Sequence, residues 1–313
     1  MLRLLYPFKN YTWQTFLQDF ADAVIKVGIQ SINPMKISRS TRGRVGKLRV
    51  SRNFSFLSKG KYLIVLCGGF PDYAAFPYAY VNRIIPVIWD SWPIYWDKII
   101  NSFKRHNVRI AFFTQRQVAN MMAEKLPGVQ CIYLPEALAP NGYLSGSILS
   151  KRSIDVLELG RLHAPVHNEL ESLSGSMPIN HLYANDVTQK RLFDTFDELA
   201  YGLSESKIVI NYPRCVTHPE VAGQVETLTQ RYWECMYSRS ILVGHAPQEL
   251  IDLVGYNPVI EADVKNIKEI VVEILNNIDN YQELVDRNYE TAKRLGSWDS
   301  RMDFFLENLK QFM

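Results

Sequence analysis

Apolar positions along the first half of the chain gather into blocks of strand length, separated by blocks of helical spacing. Residues 62–69 (YLIVLCGG), 83–90 (RIIPVIWD), 108–114 (VRIAFFT) and 130–135 (QCIYLP) are near-continuous apolar runs. Between them, PIYWDKIINSFKRHN and QRQVANMMAEKL repeat apolar residues every three or four positions, the spacing of amphipathic helices. Strands that are apolar on both faces belong to parallel sheets covered by helices. Near residue 150 a turn-rich stretch, APNGYLSGSILSKRS, reads as a linker, and then the pattern begins again. Residues 154–160, 179–183, 207–213, 240–244 and 258–263 read as strands, with helices at RLFDTFDELAYGL and ETLTQRYWECMYS. A long amphipathic pattern follows over residues 264–296, with Asp263 as candidate N-cap and Gly296 as candidate C-cap. SWDSRMDFFLENLKQF closes the sequence as an amphipathic helix. The pattern predicts an α/β protein of two doubly wound Rossmann-like domains, residues 1–150 and 151–296, facing a cleft at the carboxyl ends of their strands. Residues 297–313 form a C-terminal helix expected to pack back on the first domain.

Composition adds limits rather than detail. At 313 residues, 47% hydrophobic and 21% charged, the chain suits two globular domains and not a disordered polymer. Its four cysteines, Cys67, Cys131, Cys215 and Cys235, have neither disulfide-framework nor metal-knuckle spacing, which points to a reducing compartment. The N-terminal apolar run is too short for a signal peptide, and no stretch approaches a membrane span, so a cytoplasmic location is expected. The net charge of +3 conceals one concentrated feature: residues 36–61 carry nine Lys or Arg and no Asp or Glu. Such a segment attracts nucleic acid, anionic lipid headgroups or a phosphorylated acceptor, or is simply a solvated loop or charge-protected edge strand.

The candidate chemistry begins with EVAGQVETLTQRYWECMYSRSILVG, residues 220–244, in which Glu226 and Glu234 stand eight apart. Spacing alone carries little weight, because Glu261 and Glu269 repeat it. Placement carries more. Glu226 follows a Gly-containing loop at the entrance of a helix expected to open near Thr227, and Glu234 lies about two turns farther on. A helix opening at a strand's carboxyl end suits a diphosphate, and carboxylates beside it can accept hydrogen bonds from sugar hydroxyls.

This segment resembles the signature of group 1 glycosyltransferases of GT-B fold, in which a Glu-seven-Glu motif precedes a helix and then a strand. The wording TLTQRYWE is similar to the spore-maturation-type branch, which often carries an Arg before the helix glutamate, as Arg231 does here. IDVLELGRLHAPVHNEL resembles the same family's first C-domain strand ending in Gly-Arg. The resemblance covers about residues 154–305; the first half matches only in architecture. It implies a donor site for a nucleotide-diphosphate sugar. Glu226 would accept from the sugar hydroxyls and Glu234 from the ribose. Arg161 would contact the diphosphate, with Gly160 permitting close backbone approach, and Thr227, Leu228 and Arg231 would line the donor site. Departures from the family pattern are His163 and His167 where a Lys is usual, Arg239 where a Gly is usual, and Pro213-Arg214 in place of Pro-Ser.

Two further residues have a chemical reading and an ordinary one. His218, in the loop that should face the cleft, is either a phosphate or sugar contact or a turn residue. Asp90, at the end of a first-domain strand, is either an acceptor-side base or an N-cap. Trp92, Tyr95 and Trp96 nearby would stack on a sugar ring or pack one helix face. No P-loop, zinc-ligand spacing or Gly-x-Ser-x-Gly elbow occurs. The sequence therefore gives no metal ligand and no cofactor apart from the donor substrate, and the resemblance implies a metal-independent enzyme. The expectation is a retaining glycosyltransferase of glycan or polysaccharide synthesis, acting on a glycan or lipid-linked acceptor. Residues 36–61 would touch a membrane's inner face, and nucleic acid is not expected as partner. The alternatives are a nucleotide-sugar epimerase or hydrolase of the same fold, and a polyanion-binding protein with a degenerate site.

Overall fold

The computed structural model describes residues 1–6, 16–35, 58–184 and 192–313. Most of the basic segment, residues 36–57, lies outside these. The chain divides into two compact units: Met1–Glu136 with Glu220–Val225 and Arg301–Met313, and Ala137–Pro219 with Glu226–Ser300.

Among the described residues the first unit holds a six-stranded parallel sheet in the order β2-β1-β3-β4-β5-β6. Its strands are β1 (Leu2–Leu5), β2 (Gln30–Ile32), β3 (Tyr62–Gly68), β4 (Arg83–Trp89), β5 (Ile110–Phe113) and β6 (Gln130–Tyr133). The four strands expected from apolar runs are all present. β1 and β2 are additions, too short and, in β2, too polar (QSI) to stand out in the sequence. The longer helices of this unit's first stretch are α1 (Phe16–Lys26), α2 (Trp96–His106) and α3 (Arg116–Lys125).

The second unit carries a five-stranded parallel sheet in the order β11-β10-β9-β7-β8. The strands are β7 (Ile154–Glu158), β8 (His181–Tyr183), β9 (Ser206–Asn211), β10 (Ile241–Gly244) and β11 (Val259–Glu261); four lie inside a predicted run, and β9 begins one residue before its own. Its longer helices are α4 (Ala164–Ser176), α5 (Phe196–Ser204), α6 (Gln230–Tyr237), α7 (Gln248–Val254), α8 (Ile267–Asn276) and α9 (Gln282–Leu295). α5 opens with a capping box: the Glu198 N–H donates to Thr195 Oγ1 at 3.2 Å, and the Thr195 N–H donates back to Glu198 Oε2 at 3.2 Å. Residues 264–296 are not one helix. The pattern breaks into α8 and α9 at Asn277, with a 3₁₀ turn over Ile278–Tyr281, and the N-cap of α8 is Asn266 while Asp263 accepts the Lys265 N–H at 2.7 Å in a turn. Gly296 does close α9.

The second unit's core gathers Val156, Ile208, Ile210, Ile241 and Val243 from the sheet with Val166, Leu170, Ile267, Val271, Ile274 and Val285 from its helices. Each such side chain contributes about 1.5–3 kcal/mol when fully buried, against the entropy of ordering it. The first unit is completed by α10 (Met302–Phe312). Phe305 of α10 is fully buried, its ring 5.3 Å from Phe20 and 4.6 Å from Phe112, and Phe20 in turn meets Trp89 edge-on at 5.6 Å. The last helix therefore closes an aromatic core begun by the first.

In both sheets the strand order reverses once, between β1 and β3 and between β7 and β9. Loops leaving the carboxyl ends of the strands diverge there, and in doubly wound sheets that crevice is where ligands bind.

Candidate functional site

At the reversal point of the second sheet, β7 ends in Glu158 and the chain turns through Gly160 and Arg161 into α4. Gly160 has φ +87°, a left-handed conformation that glycine adopts without penalty, and both it and Arg161 are exposed. His163 occupies the N-cap of α4 without a side-chain cap, and Pro165 in the first turn forfeits no helical hydrogen bond. The free N–H groups of this first turn thus follow directly on Gly160-Arg161. His163 is unsuited to pairing with a phosphate as a cation: burial pulls its pKa below the ordinary value despite nearby Glu158. Its Nδ1 is buried without a hydrogen bond and its ring lies 5.0 Å from that of Tyr212. From the neighbouring strand β9, the buried Asn211 presents a side-chain N–H₂ group that also has no hydrogen-bond partner. Buried polar atoms of this kind are uncommon and call for a partner.

The end of β10 closes on the same place. Gly244 has φ +142°, and a Cβ there would stand 2.1 Å from the Asn211 carbonyl oxygen, so no other residue fits. The following residue, His245, donates its N–H to that carbonyl at 3.1 Å. Its ring sits between two carboxylates, Nε2 at 3.1 Å from Glu226 Oε1 and Nδ1 at 2.9 Å from Glu261 Oε2. Burial opposes the charged ring, yet the hydrogen bonds to Glu226 and Glu261 outweigh it and raise the His245 pKa. Glu226 also accepts the N–H of Gln248, the first residue of α7, at 3.1 Å. The carboxylate read from the sequence as a sugar ligand is thus part-exposed and fixed at both oxygens.

The helix between the two glutamates opens later than expected. α6 begins at Gln230 with Thr229 as N-cap, and Thr227 and Leu228 lie buried before it. Just before it Glu249, a buried carboxylate, accepts the Leu228 N–H. Thr227 turns its hydroxyl to the Leu228 carbonyl at 3.2 Å. Glu234 is buried on α6; its Oε1 accepts the Tyr143 hydroxyl at 2.9 Å, and its Oε2 pairs with Arg231 one turn earlier. A ribose hydroxyl reaching Glu234 would have to displace or share the Tyr143 bond. Arg239, where the resembled family keeps a Gly, has φ +54°, and its guanidinium pairs with Asp286 of α9, Nε to Oδ1 at 2.7 Å.

His218 ends a single helical turn (Arg214–Thr217), its Nδ1 3.0 Å from Thr217 Oγ1. Asp90, in the first unit, is exposed in the left-handed region (φ +52°) at the end of β4 and accepts the Trp92 indole N–H at 3.2 Å. It caps no helix: Trp92 and Tyr95 hold the cap positions that follow. Trp92 is buried, whereas Tyr95 and Trp96 are part-exposed.

One group of ligand-type side chains was not legible as spacing. Glu158 (end of β7), His167 (α4) and His181 (β8) bring one ligand atom each to within 4.8 Å of one another. His167 Nδ1 and His181 Nε2 both face Glu158 Oε1, at 2.6 and 2.8 Å. The sequence signal was the histidine at 167, read only as a substitute for a lysine. All four cysteines are free, Cys67 and Cys235 buried. Among the described residues no helix is long and apolar enough to cross a membrane.

No protein-family model and no curated protein matches the chain by sequence. Its structure, however, is similar over its whole length to several solved ones. Sucrose-phosphate synthase from Thermosynechococcus elongatus is 10% identical, with 99% of this chain and 98% of that one aligned at a TM-score of 0.63. HepE from Anabaena, solved with UDP and glucose, is 11% identical, with 99% of each chain aligned at 0.63. AviGT4, a glycosyltransferase of avilamycin A biosynthesis, is 12% identical over 99% of this chain and 97% of its own, at 0.54. At such identities the likeness speaks for architecture alone, and the two parallel sheets, each flanked by helices, are those of the GT-B fold.

Proposed function

We propose that the chain is a glycosyltransferase that moves a sugar from a nucleotide-diphosphate sugar to an acceptor hydroxyl, with the donor held by the second unit. The observation that carries this reading is the convergence at the β7/β9 reversal. The Gly160-Arg161 turn, the first turn of α4, and the unpartnered Asn211 amide donor all belong to the same carboxyl edge of the sheet. A diphosphate leaving group needs this combination of a cation, oriented N–H groups and close backbone approach. Because charge accumulates on the diphosphate as the glycosidic bond breaks, donors fixed in advance stabilise the transition state more than the ground state. In this reading Arg161 and α4 meet the diphosphate, which moves the helix-dipole contribution from Thr227, where the sequence suggested it, to residue 164.

Glu226 is assigned to the donor sugar. It is fixed through His245 and the Gln248 N–H, so it can accept hydroxyl hydrogen bonds without paying again to be ordered. Glu234 is assigned to the ribose, with Tyr143 as the group it releases, and His218 to the rim of the donor site. Thr227, Leu228 and Arg231 line the segment between the glutamates. Asp90 is the acceptor-side candidate, exposed and unused as a cap. Retention of anomeric configuration, independence of metal and a glycan or lipid-linked acceptor follow the resemblance to the group 1 enzymes. HepE was solved with UDP and glucose, which makes a uridine nucleotide the first donor to try.

The test is a thermal-shift panel of nucleoside diphosphates and nucleotide sugars, followed by product analysis with and without glycan acceptors. A ligand that binds only the native state raises its stability with the logarithm of its concentration over Kd. Nucleotide-dependent stabilisation with acceptor-dependent sugar transfer supports the reading. Free sugar or an isomer formed without acceptor would instead indicate the hydrolase or epimerase. Polyanion binding with no nucleotide response would indicate that the site is degenerate.

A further inference from the structure

Beside this donor site lies a second constellation that the transfer reaction does not use. Glu158, His167 and His181 come from three different elements, β7, α4 and β8, so the fold itself gathers them. Side-chain exposures are 3%, 13% and 2%, which leaves the group almost without solvent. Both imidazoles turn an inner nitrogen to one oxygen, Glu158 Oε1, at 2.6 and 2.8 Å. They turn their outer nitrogens to second partners. His181 Nδ1 lies 3.3 Å from Ser174 Oγ, and Ser174 donates its own hydroxyl hydrogen to the Leu170 carbonyl at 3.0 Å. The serine therefore offers a lone pair to His181, and Nδ1 carries the hydrogen.

A neutral His181 ring in that tautomer points the lone pair of Nε2 straight at a carboxylate oxygen, which is repulsive. A cation between the two, a proton or a metal ion, removes the conflict. His167 has no such hydrogen bond on its outer side; its Nε2 faces the Glu171 carboxylate at 3.7 Å, and that carboxylate is fixed by the Tyr183 hydroxyl at 2.6 Å. An outer hydrogen-bond partner that sets tautomer and ring orientation is what metal-ligating histidines regularly have.

We propose that Glu158, His167 and His181 form a binding site for one divalent cation of the zinc class, which ties β7, α4 and β8 together behind the Gly160-Arg161 turn. Two neutral imidazoles and one carboxylate suit zinc or a neighbouring first-row ion, whereas calcium and magnesium prefer oxygen ligands throughout. Ligand atoms about 2.0–2.1 Å from a tetrahedral ion stand about 3.3 Å apart, so the two histidine–Glu158 contacts of 2.6 and 2.8 Å need to open by about 0.5–0.7 Å to admit it. A small non-protein ligand completes the fourth position. The role proposed for the ion is to hold these three elements together; no reacting group is assigned to it. The proposal does not depend on the glycosyltransferase reading.

The experiment is a titration of the chelator-treated full chain with Zn²⁺ against a chromophoric competitor, together with thermal unfolding in the presence and absence of Zn²⁺. One ion per chain and a raised unfolding midpoint are expected. Glu158→Gln and His181→Asn should each weaken binding at least about a hundredfold and abolish the shift in midpoint. Far-ultraviolet circular dichroism checks their folding; if either fails to fold, Ser174→Ala serves in its place, with binding weakened by about tenfold and the fold unchanged. The proposal is overturned if the wild-type chain binds no Zn²⁺, if Zn²⁺ leaves its midpoint unchanged or lowers it, or if the Glu158→Gln/His181→Asn double variant binds as tightly as wild type.

Discussion

Glu226 is held by His245: the carboxylate Oε1 lies 3.1 Å from the imidazole Nε2, while the other ring nitrogen is 2.9 Å from Glu261. Burial works against the charged imidazole, but the two carboxylates prevail and the His245 pKa lies above its ordinary value. A folded-state pKa raised in this way contributes stability in full below the unfolded value of about 6.5, and the contribution is lost as pH rises through the folded value. Wild type should therefore exceed His245→Gln in urea midpoint by the most near and below about pH 6, and the margin should shrink as pH rises through the raised His245 pKa. Urea titrations at successive pH values check this; a margin that widens with pH contradicts it.

Arg161 is exposed at a glycine turn, so its removal should leave the fold intact. Hydrogen bonds to charged groups contribute about 1.5–3 kcal/mol, which corresponds to a loss of about tenfold to a hundredfold in affinity for the nucleoside diphosphate in Arg161→Ala. Isothermal titration calorimetry measures the loss, and an unchanged unfolding midpoint separates it from misfolding.

Arg239 combines a left-handed backbone, φ +54°, with an ion pair to Asp286. The conformation costs a non-glycine residue about 1–2 kcal/mol, and a pair whose carboxylate is 45% exposed returns about 0–1 kcal/mol. Arg239→Gly should consequently match wild type or exceed it by up to about 1 kcal/mol in chemical denaturation. Arg239→Val, which keeps the strain and loses the pair, should be destabilised.

Phe305 ties α10 to the aromatic core of the first unit through Phe20 and Phe112. Phe305→Ala should cost about 3–5 kcal/mol, read from denaturant unfolding, because the ring is fully buried and leaves a cavity. A cost below about 1 kcal/mol would mean that the helix contributes little to that core.

Much of this architecture was legible because parallel strands buried on both faces leave continuous apolar runs, as YLIVLCG and KIVIN do. β1 and β2 escaped notice because four- and three-residue strands carry too little pattern, and β2, at the sheet edge, is largely exposed. Apolar periodicity continued through Asn277, where the chain nevertheless breaks into a 3₁₀ turn between α8 and α9. α6 starts at Gln230 rather than near Thr227, and the Glu249 carboxylate that accepts the Leu228 N–H before it comes from beyond the next strand, so no local signal announces that contact. Glu226 was singled out by its motif, but its partners His245 and Gln248 come from beyond the next strand. Glu158, His167 and His181, nine and fourteen residues apart in turn, follow no recognised metal spacing; only the pairing of β7 with β8 and the packing of α4 bring them together.

The most direct test of the donor-site assignment is acceptor-dependent release of nucleoside diphosphate from nucleotide sugars, measured with a panel of glycan acceptors and with purified wild type and Glu226→Gln at equal concentration. Glutamine keeps the size of the side chain but cannot accept hydroxyl hydrogen bonds as a carboxylate does. The account predicts turnover by the wild type with at least one nucleotide sugar, and a fall of at least about tenfold to a hundredfold in kcat/KM for Glu226→Gln, with the unfolding midpoint of a folded protein retained. Full activity in Glu226→Gln would contradict it.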